Sequence, residues 1–175
     1  NMLKVLIADD EEKICQLIIK LINWEEMGLK IAATASNGIE ALEQAKICKP
    51  ESLITDIRMP GIDGMELIRK VKEKLPDTEI IIISGYRHFE YAQTAIRYGV
   101  RNYLLKPIKK EELRDTLQKI ADIYREKNEQ LNFEERVRLA LKNDAGKLRT
   151  SFISRMIYGD RERENIISLK ELNNQ

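Results

Sequence analysis

The chain of 175 residues has little of several residue types, and each scarcity excludes a class of protein. It contains two cysteines and one histidine. Cys15 and Cys48 stand singly within apolar helical patterns, so we expect two core or near-core thiols in a reducing compartment rather than a disulfide framework or a zinc site. The single histidine, His88, is expected to be an exposed polar residue of a helix, not a ligand or a catalytic base.

Long hydrophobic runs and an excess of one charge are also missing. No stretch approaches the roughly 20 apolar residues of a membrane span, and the amino terminus lacks the pattern of a secretory signal. The 30 basic and 29 acidic residues nearly cancel, so the chain as a whole has no field that would draw it to nucleic acid or to an anionic membrane. We therefore expect a cytoplasmic protein without a membrane partner.

Short apolar runs alternate with helical patterns five times along the first 120 residues. The runs at 3–8, 29–35, 52–55, 79–84 and 100–105 predict buried strands. Four consecutive isoleucines in the fourth run are typical of a parallel strand that is covered on both faces. The pattern predicts an α/β fold, a doubly wound five-stranded parallel sheet with right-handed crossovers.

The apolar spacing also predicts which helical side chains face the core. In the first helix Leu17 belongs to the predicted apolar stripe, and in the second helix Ile39 does. Beyond about residue 120 the spacing weakens, and a further helical pattern over 133–158 is interrupted around 143–146. This part has too few large apolar groups to fold alone, so we expect a helical extension that packs on something else.

Polar residues stand at the carboxyl ends of four predicted strands. Asp9 and Asp10 follow the first strand, Asp56 the third, Ser84 ends the fourth and Lys106 follows the fifth. In a doubly wound sheet these ends meet in one cleft. Three carboxylates there need a compensating cation, and hard oxygen ligands favour Mg²⁺. With a lysine and a hydroxyl beside the metal, a phosphoryl group is the natural guest and a carboxylate the natural nucleophile.

These motifs resemble the receiver domain of bacterial two-component response regulators. The matching residues are Asp9-Asp10, Asp56 with Met59-Pro60-Gly61 and Asp63-Gly64, Ser84-Gly85, and the run from Tyr103 to Pro107. The resemblance covers residues 3 to 122 and implies a flavodoxin-like receiver fold. It also implies that the peptide bond before Pro107 is cis.

The resemblance assigns a role to each candidate site residue. Asp56 would be the phosphoacceptor, and Ser84 and Lys106 would contact the phosphoryl group. Tyr103 would be an aromatic switch whose rotamer follows Ser84.

The same resemblance implies a metal site and two partners. Asp9, Asp10, Asp56 and the backbone carbonyl of Arg58 would hold Mg²⁺. A histidine kinase would supply the phosphoryl group, and phosphorylation would produce a homodimer through the face formed by the fourth helix, the fifth strand and the fifth helix.

A narrower resemblance points to the receivers of AraC-type, YesN-like transcription regulators. It rests on Asn23-Trp24, on Ser84-Gly85-Tyr86 and on Phe89-Glu90-Tyr91-Ala92. We expect residues 2–122 to be the receiver and residues 123–175 to be a helical linker or the start of a middle region. DNA would be contacted only through a C-terminal domain that has no counterpart before Gln175.

Two other functions compete with this phospho-switch. One is a dimerisation module that needs no phosphorylation, and the other is a slow aspartyl-phosphate phosphatase. Enzymes of the haloacid-dehalogenase kind carry a second Asp two residues after the nucleophile, but Arg58 stands there. We therefore expect no turnover enzyme. The bulk of Arg58 and Tyr86 beside the acceptor predicts a long-lived phosphoryl group.

Overall fold

The computed structural model describes the backbone of residues 2–85 and 89–172, and the side chains of residues 2–85 and 90–142. Tyr86 and His88 lie outside the described residues, and so do the expectations attached to them. Among the described helices, none is both long and apolar enough to cross a membrane.

Strands and helices alternate along the described chain. The strands are β1 (Leu3–Ala8), β2 (Leu29–Ala35), β3 (Ser52–Thr55), β4 (Glu79–Ser84) and β5 (Asn102–Leu105). The helices are α1 (Glu12–Leu21), α2 (Gly38–Cys48), α3 (Gly64–Lys74), α4 (Phe89–Arg97) and α5 (Lys110–Leu172). The strands form one parallel sheet in the order β2-β1-β3-β4-β5. The predicted five-stranded parallel sheet is therefore confirmed.

Each face of the sheet carries its own hydrophobic core, because successive side chains of a strand point to opposite faces. In β4, Ile81 and Ile83 pack with buried residues of α1 and α5. Ile80 and Ile82 pack on the other face with buried residues of α2, α3 and α4. Burial on both faces explains why β4 is an unbroken apolar run, and it leaves the strand ends as the place for polar groups.

Two apolar side chains are more exposed than the helical spacing predicts. Ile39 is 51% exposed because α2 approaches the sheet through its smallest residues, and Ala41 and Ala45 are the buried ones. Leu17 is 42% exposed, whereas Cys15 and Ile18 are the fully buried residues of α1. The two predictions of burial were therefore wrong.

Contacts divide the chain into two compact units, Asn1–Arg125 and Glu126–Gln175. In the first unit Leu113, Leu117 and Ile120 of α5 are buried in the core. In the second unit the described side chains, residues 126–142, are all exposed. The backbone is helical through 143–146, so the interruption expected from the apolar pattern does not interrupt α5.

Tyr124 joins α5 to the amino-terminal edge of the sheet. Its hydroxyl oxygen lies 2.5 Å from the carbonyl oxygen of Asp77 and 3.2 Å from that of Glu51, just before β4 and β3. Burial, reinforced by the carboxylates of Glu79, Glu51 and Asp77, raises the pKa of Tyr124. The hydroxyl therefore remains a hydrogen-bond donor up to strongly alkaline pH.

We expect Tyr124→Phe to lower the free energy of unfolding by about 1 kcal/mol, the usual net worth of one hydrogen bond. Urea unfolding followed by the fluorescence of Trp24, which is buried in this unit, measures the change. Because the folded pKa lies above the ordinary value of 10.0, the hydroxyl contributes fully below pH 10. That contribution is lost as the pH rises further, so the two proteins should converge at alkaline pH.

Tyr98→Phe is the matched control, because the hydroxyl of Tyr98 makes no hydrogen bond within the described part of the chain. Equal unfolding midpoints for Tyr124→Phe and the parent protein at pH 7 would contradict this account of Tyr124.

Candidate functional site

Three carboxylates meet at the carboxyl edge of the sheet, where β1 and β3 lie side by side. The Asp9 N–H donates to the Ala35 carbonyl at 3.1 Å, and the Asp56 N–H donates to the Ala8 carbonyl at 2.9 Å. These bonds extend the strand pairing by one residue and bring the side chains together. Oxygens of Asp9, Asp10 and Asp56 lie within 4.8 Å of one another. Asp9 and Asp56 are buried, whereas Asp10 is exposed and faces solvent.

Lys106 brings a positive charge into the same cluster from the end of β5. Its backbone N–H donates to the Ser84 carbonyl at 2.9 Å, which fixes the start of the side chain. Its Nζ lies 2.9 Å from Asp56 Oδ2 and 3.0 Å from Asp9 Oδ2. The lysine therefore links the two buried carboxylates, and it is itself largely buried.

Burial and charge pairing act on this cluster in opposite directions. Burial raises the pKa of Asp9, although a hydrogen bond from the Glu11 N–H and the neighbouring Lys106 both favour its charged form. Burial is also the largest single influence on Lys106 and lowers its pKa, but hydrogen bonds and charge interactions with Asp56 and Asp9 together raise it. The pairing therefore favours the charged form of Lys106, whereas burial disfavours the charged form of Asp9.

The backbone of the loop after β3 orients the carboxylate of Asp56. The Ile57 N–H donates to Asp56 Oδ1 at 2.5 Å, so one carboxylate oxygen is fixed and Oδ2 faces Lys106. Gly64, the first residue of α3, donates its N–H to the Ile57 carbonyl at 2.7 Å. A Cβ at Gly64 would stand 2.0 Å from the Asp56 carbonyl oxygen. Only glycine lets α3 begin this close to the backbone that follows β3.

A second pair of predicted residues lies on the neighbouring strands β4 and β5. Ser84 is fully buried, Tyr103 is half-buried, and their side chains share a hydrogen bond. Burial raises the pKa of the Tyr103 hydroxyl, and the charge of Asp56 adds to this effect. Tyr103 therefore interacts electrostatically with Asp56 and is hydrogen-bonded to Ser84.

The donor set of the cluster fits a hard divalent cation. The three candidate ligands, Asp9, Asp10 and Asp56, are all carboxylates, with no imidazole or thiolate among them. Such oxygen donors are typical of Mg²⁺ sites and are a poor set for zinc. The cluster could therefore hold a metal ion.

The structure brings together most of the residues that the sequence nominated. Asp9, Asp10, Asp56 and Lys106 form one cluster. The Lys106–Pro107 peptide bond is cis, as the resemblance implied. Arg58 is exposed, and the use of its carbonyl as a metal ligand stays a prediction.

Glu11 is a site residue that the sequence reasoning missed. Its carboxylate Oε1 lies 3.4 Å from Lys106 Nζ, and its N–H donates to Asp9 Oδ1 at 2.9 Å. The signal was present as a third acid directly after Asp9 and Asp10, but acids are also common at helix starts. Its separation of 95 residues from Lys106 hides the pairing from any reading of local spacing.

Comparison with known proteins gives a consistent set of relatives. The response regulator receiver domain family matches residues 5–118. The Bacillus subtilis transcriptional regulatory protein YesN is 40% identical over 139 residues, which are 76% of this chain and 38% of YesN. The Staphylococcus aureus transcriptional regulatory protein HptR is 40% identical over 107 residues, which are 61% of this chain and 42% of HptR.

A solved structure agrees with these relatives in both sequence and fold. The REC domain of AraT, a response regulator from Geobacillus stearothermophilus, is 41% identical with a TM-score of 0.70. The match covers 73% of this chain and 99% of that domain. The matched segments are less than half the length of the curated relatives YesN and HptR.

Proposed function

Because the chain belongs to the response regulator receiver domain family, we propose that it accepts a phosphoryl group on Asp56 and acts as a phosphorylation switch. The observation that carries the proposal is the placement of Lys106 Nζ between Asp56 Oδ2 and Asp9 Oδ2, at 2.9 and 3.0 Å. A cation at this point stabilises negative charge that is brought to Asp56.

The transfer uses the carboxylate of Asp56 as its nucleophile. Its oxygen forms a bond to phosphorus, the bond from phosphorus to the donor's leaving group breaks, and the leaving group departs with the electron pair. Lys106 and the hydroxyl of Ser84 contact the oxygens of the phosphoryl group. The product stays on the protein, so the reaction is a modification of the chain and not a turnover of external substrate.

Asp9, Asp10 and Asp56 would hold Mg²⁺ together with the backbone carbonyl of Arg58. When bound, this ion offsets the charge of the phosphoryl oxygens. Asp9 supports the assignment, because its burial disfavours a bare anion and a cation would relieve that cost.

The switch would run from Ser84 to Tyr103. The two side chains already share a hydrogen bond, so a phosphoryl group that recruits the Ser84 hydroxyl alters the environment of the tyrosine. The face of α4, β5 and α5 changes as a result and forms a homodimer. Ile96 on α4 is 78% exposed, and such an apolar side chain supports a contact surface there.

The proposed phosphoryl donor and the proposed output are not part of the receiver domain itself. A histidine kinase is the proposed donor, and we propose that this protein acts in the cytoplasm. YesN and HptR are named as transcriptional regulatory proteins, which supports a role in transcription regulation; the proposed output is an AraC-type DNA-binding domain.

Intact-mass spectrometry after incubation with acetyl phosphate tests the function. With Mg²⁺ we expect a gain of one phosphoryl mass, roughly 80 Da. With EDTA in place of Mg²⁺ the gain should fall at least tenfold, because three carboxylates and the incoming anion then repel each other. No gain with any donor in the presence of Mg²⁺ would favour the phosphorylation-independent dimerisation module.

A further inference from the structure

The side chain of Glu11 points to Lys106, and this contact is not explained by a role in capping helix α1. It is the residue before α1 and stands where a side chain often caps the helix, yet it makes no capping hydrogen bond. Its carboxylate instead pairs with Lys106 Nζ at 3.4 Å. The Glu11 side chain is 64% exposed, so it borders the solvent side of the site, from which a phosphoryl donor must approach.

Glu11 also stands apart from the metal-binding group. The carboxylates that lie together as possible metal ligands are those of Asp9, Asp10 and Asp56. A bound divalent cation would therefore offset most of the charge of those three acids and leave the charge of Glu11 beside the lysine. This remaining charge competes with the incoming phosphoryl oxygens for the ammonium of Lys106.

We propose that Glu11 is a specificity-determining residue that disfavours highly charged small phosphoryl donors, by holding Lys106 and by repelling the donor. The inference rests on the proposed phosphorylation of Asp56. Because repulsion scales with the charge of the donor, the effect on a dianion should be about the square of the effect on a monoanion.

The test compares two donors of different charge under saturating Mg²⁺. Acetyl phosphate is mainly a dianion at neutral pH, and phosphoramidate is mainly a monoanion. We expect Glu11→Gln to raise the second-order rate of phosphorylation about three- to tenfold with acetyl phosphate and about two- to threefold with phosphoramidate. High salt should shrink both increases, because the carboxylate is exposed.

Two further variants separate charge from local structure. Glu11→Asp retains the charge and should keep the parent protein's preference between the donors. Glu12→Gln removes the adjacent charge. Among the described residues Glu12 forms no ion pair with Lys106. This variant should therefore change the ratio of the two phosphorylation rates by less than a factor of about 1.5.

The outcomes distinguish this inference from the function on which it rests. Suppose the parent protein gains phosphoryl mass, but Glu11→Gln either raises the rates with both donors by the same factor or raises neither rate. That result overturns the role of Glu11 and leaves the proposed function in place. If neither the parent protein nor Glu11→Gln gains phosphoryl mass from either donor, the proposed function is overturned and this inference with it.

Discussion

Asp56→Asn should abolish the phosphoryl adduct, with a loss of at least 100-fold relative to the parent protein. Asparagine has nearly the same shape, and its amide oxygen can still accept the Ile57 N–H bond that orients Asp56. It lacks the anionic oxygen that would attack phosphorus in the proposed transfer, so we expect the fold to remain and the adduct to be lost. Intact mass after incubation with acetyl phosphate and Mg²⁺ measures the difference.

Asp63→Asn is the control, because it removes an acid from the same loop. The Asp63 side chain accepts the Glu66 N–H at 2.8 Å and caps α3, and asparagine caps a helix about as well as aspartate. This variant should be phosphorylated like the parent protein. An adduct of unchanged yield on Asp56→Asn would show that another carboxylate accepts the group.

Gly64→Ala should cost the first unit about 3 kcal/mol of stability or more. The new Cβ would lie 2.0 Å from the Asp56 carbonyl oxygen and 2.7 Å from the Ile57 Cα. Both are backbone atoms of a buried strand end, which cannot rotate away as a side chain can, so β3 and α3 must separate. A loss of this size is a large part of the stability of an ordinary domain.

Urea unfolding followed by Trp24 fluorescence reports this unit alone. Gly85→Ala is the comparison, because no described atom lies within 4 Å of the Cβ it would introduce. Its free energy of unfolding should change by less than about 1 kcal/mol. An unchanged midpoint for Gly64→Ala would mean that the close approach of α3 to β3 is not needed.

The order of strands and helices was predictable because the apolar patterns are strong and local. The isoleucines of β4 are buried on both faces as their run indicated. The exposed Ile39 shows where such reasoning fails, because helical spacing fixes which residues share a face but not which face meets the sheet. In α2 that choice follows from the small volumes of Ala41 and Ala45, and it depends on packing.

The site was predictable to the extent that it lies at strand ends. A parallel sheet forces Asp9 and Asp56 together whatever the loops do, so their meeting follows from the fold. The contacts of Glu11 and Tyr124 have no such rule behind them. Each contact joins segments that are far apart in the chain. In the sequence, the side chains of Glu11 and Tyr124 cannot be told from ordinary surface residues, so these contacts depend on the tertiary structure.

The buried carboxylate of Asp9 has a consequence for how this domain evolves. Its burial makes the anion costly, so the unliganded fold is less stable than it would be with a neutral residue of the same size. Selection for heat resistance alone would remove the acid and leave a more stable chain that lacks one of the three carboxylates proposed as cation ligands. In the proposed function, cation binding would return part of that stability, so the acid would be least costly when its ligand is bound.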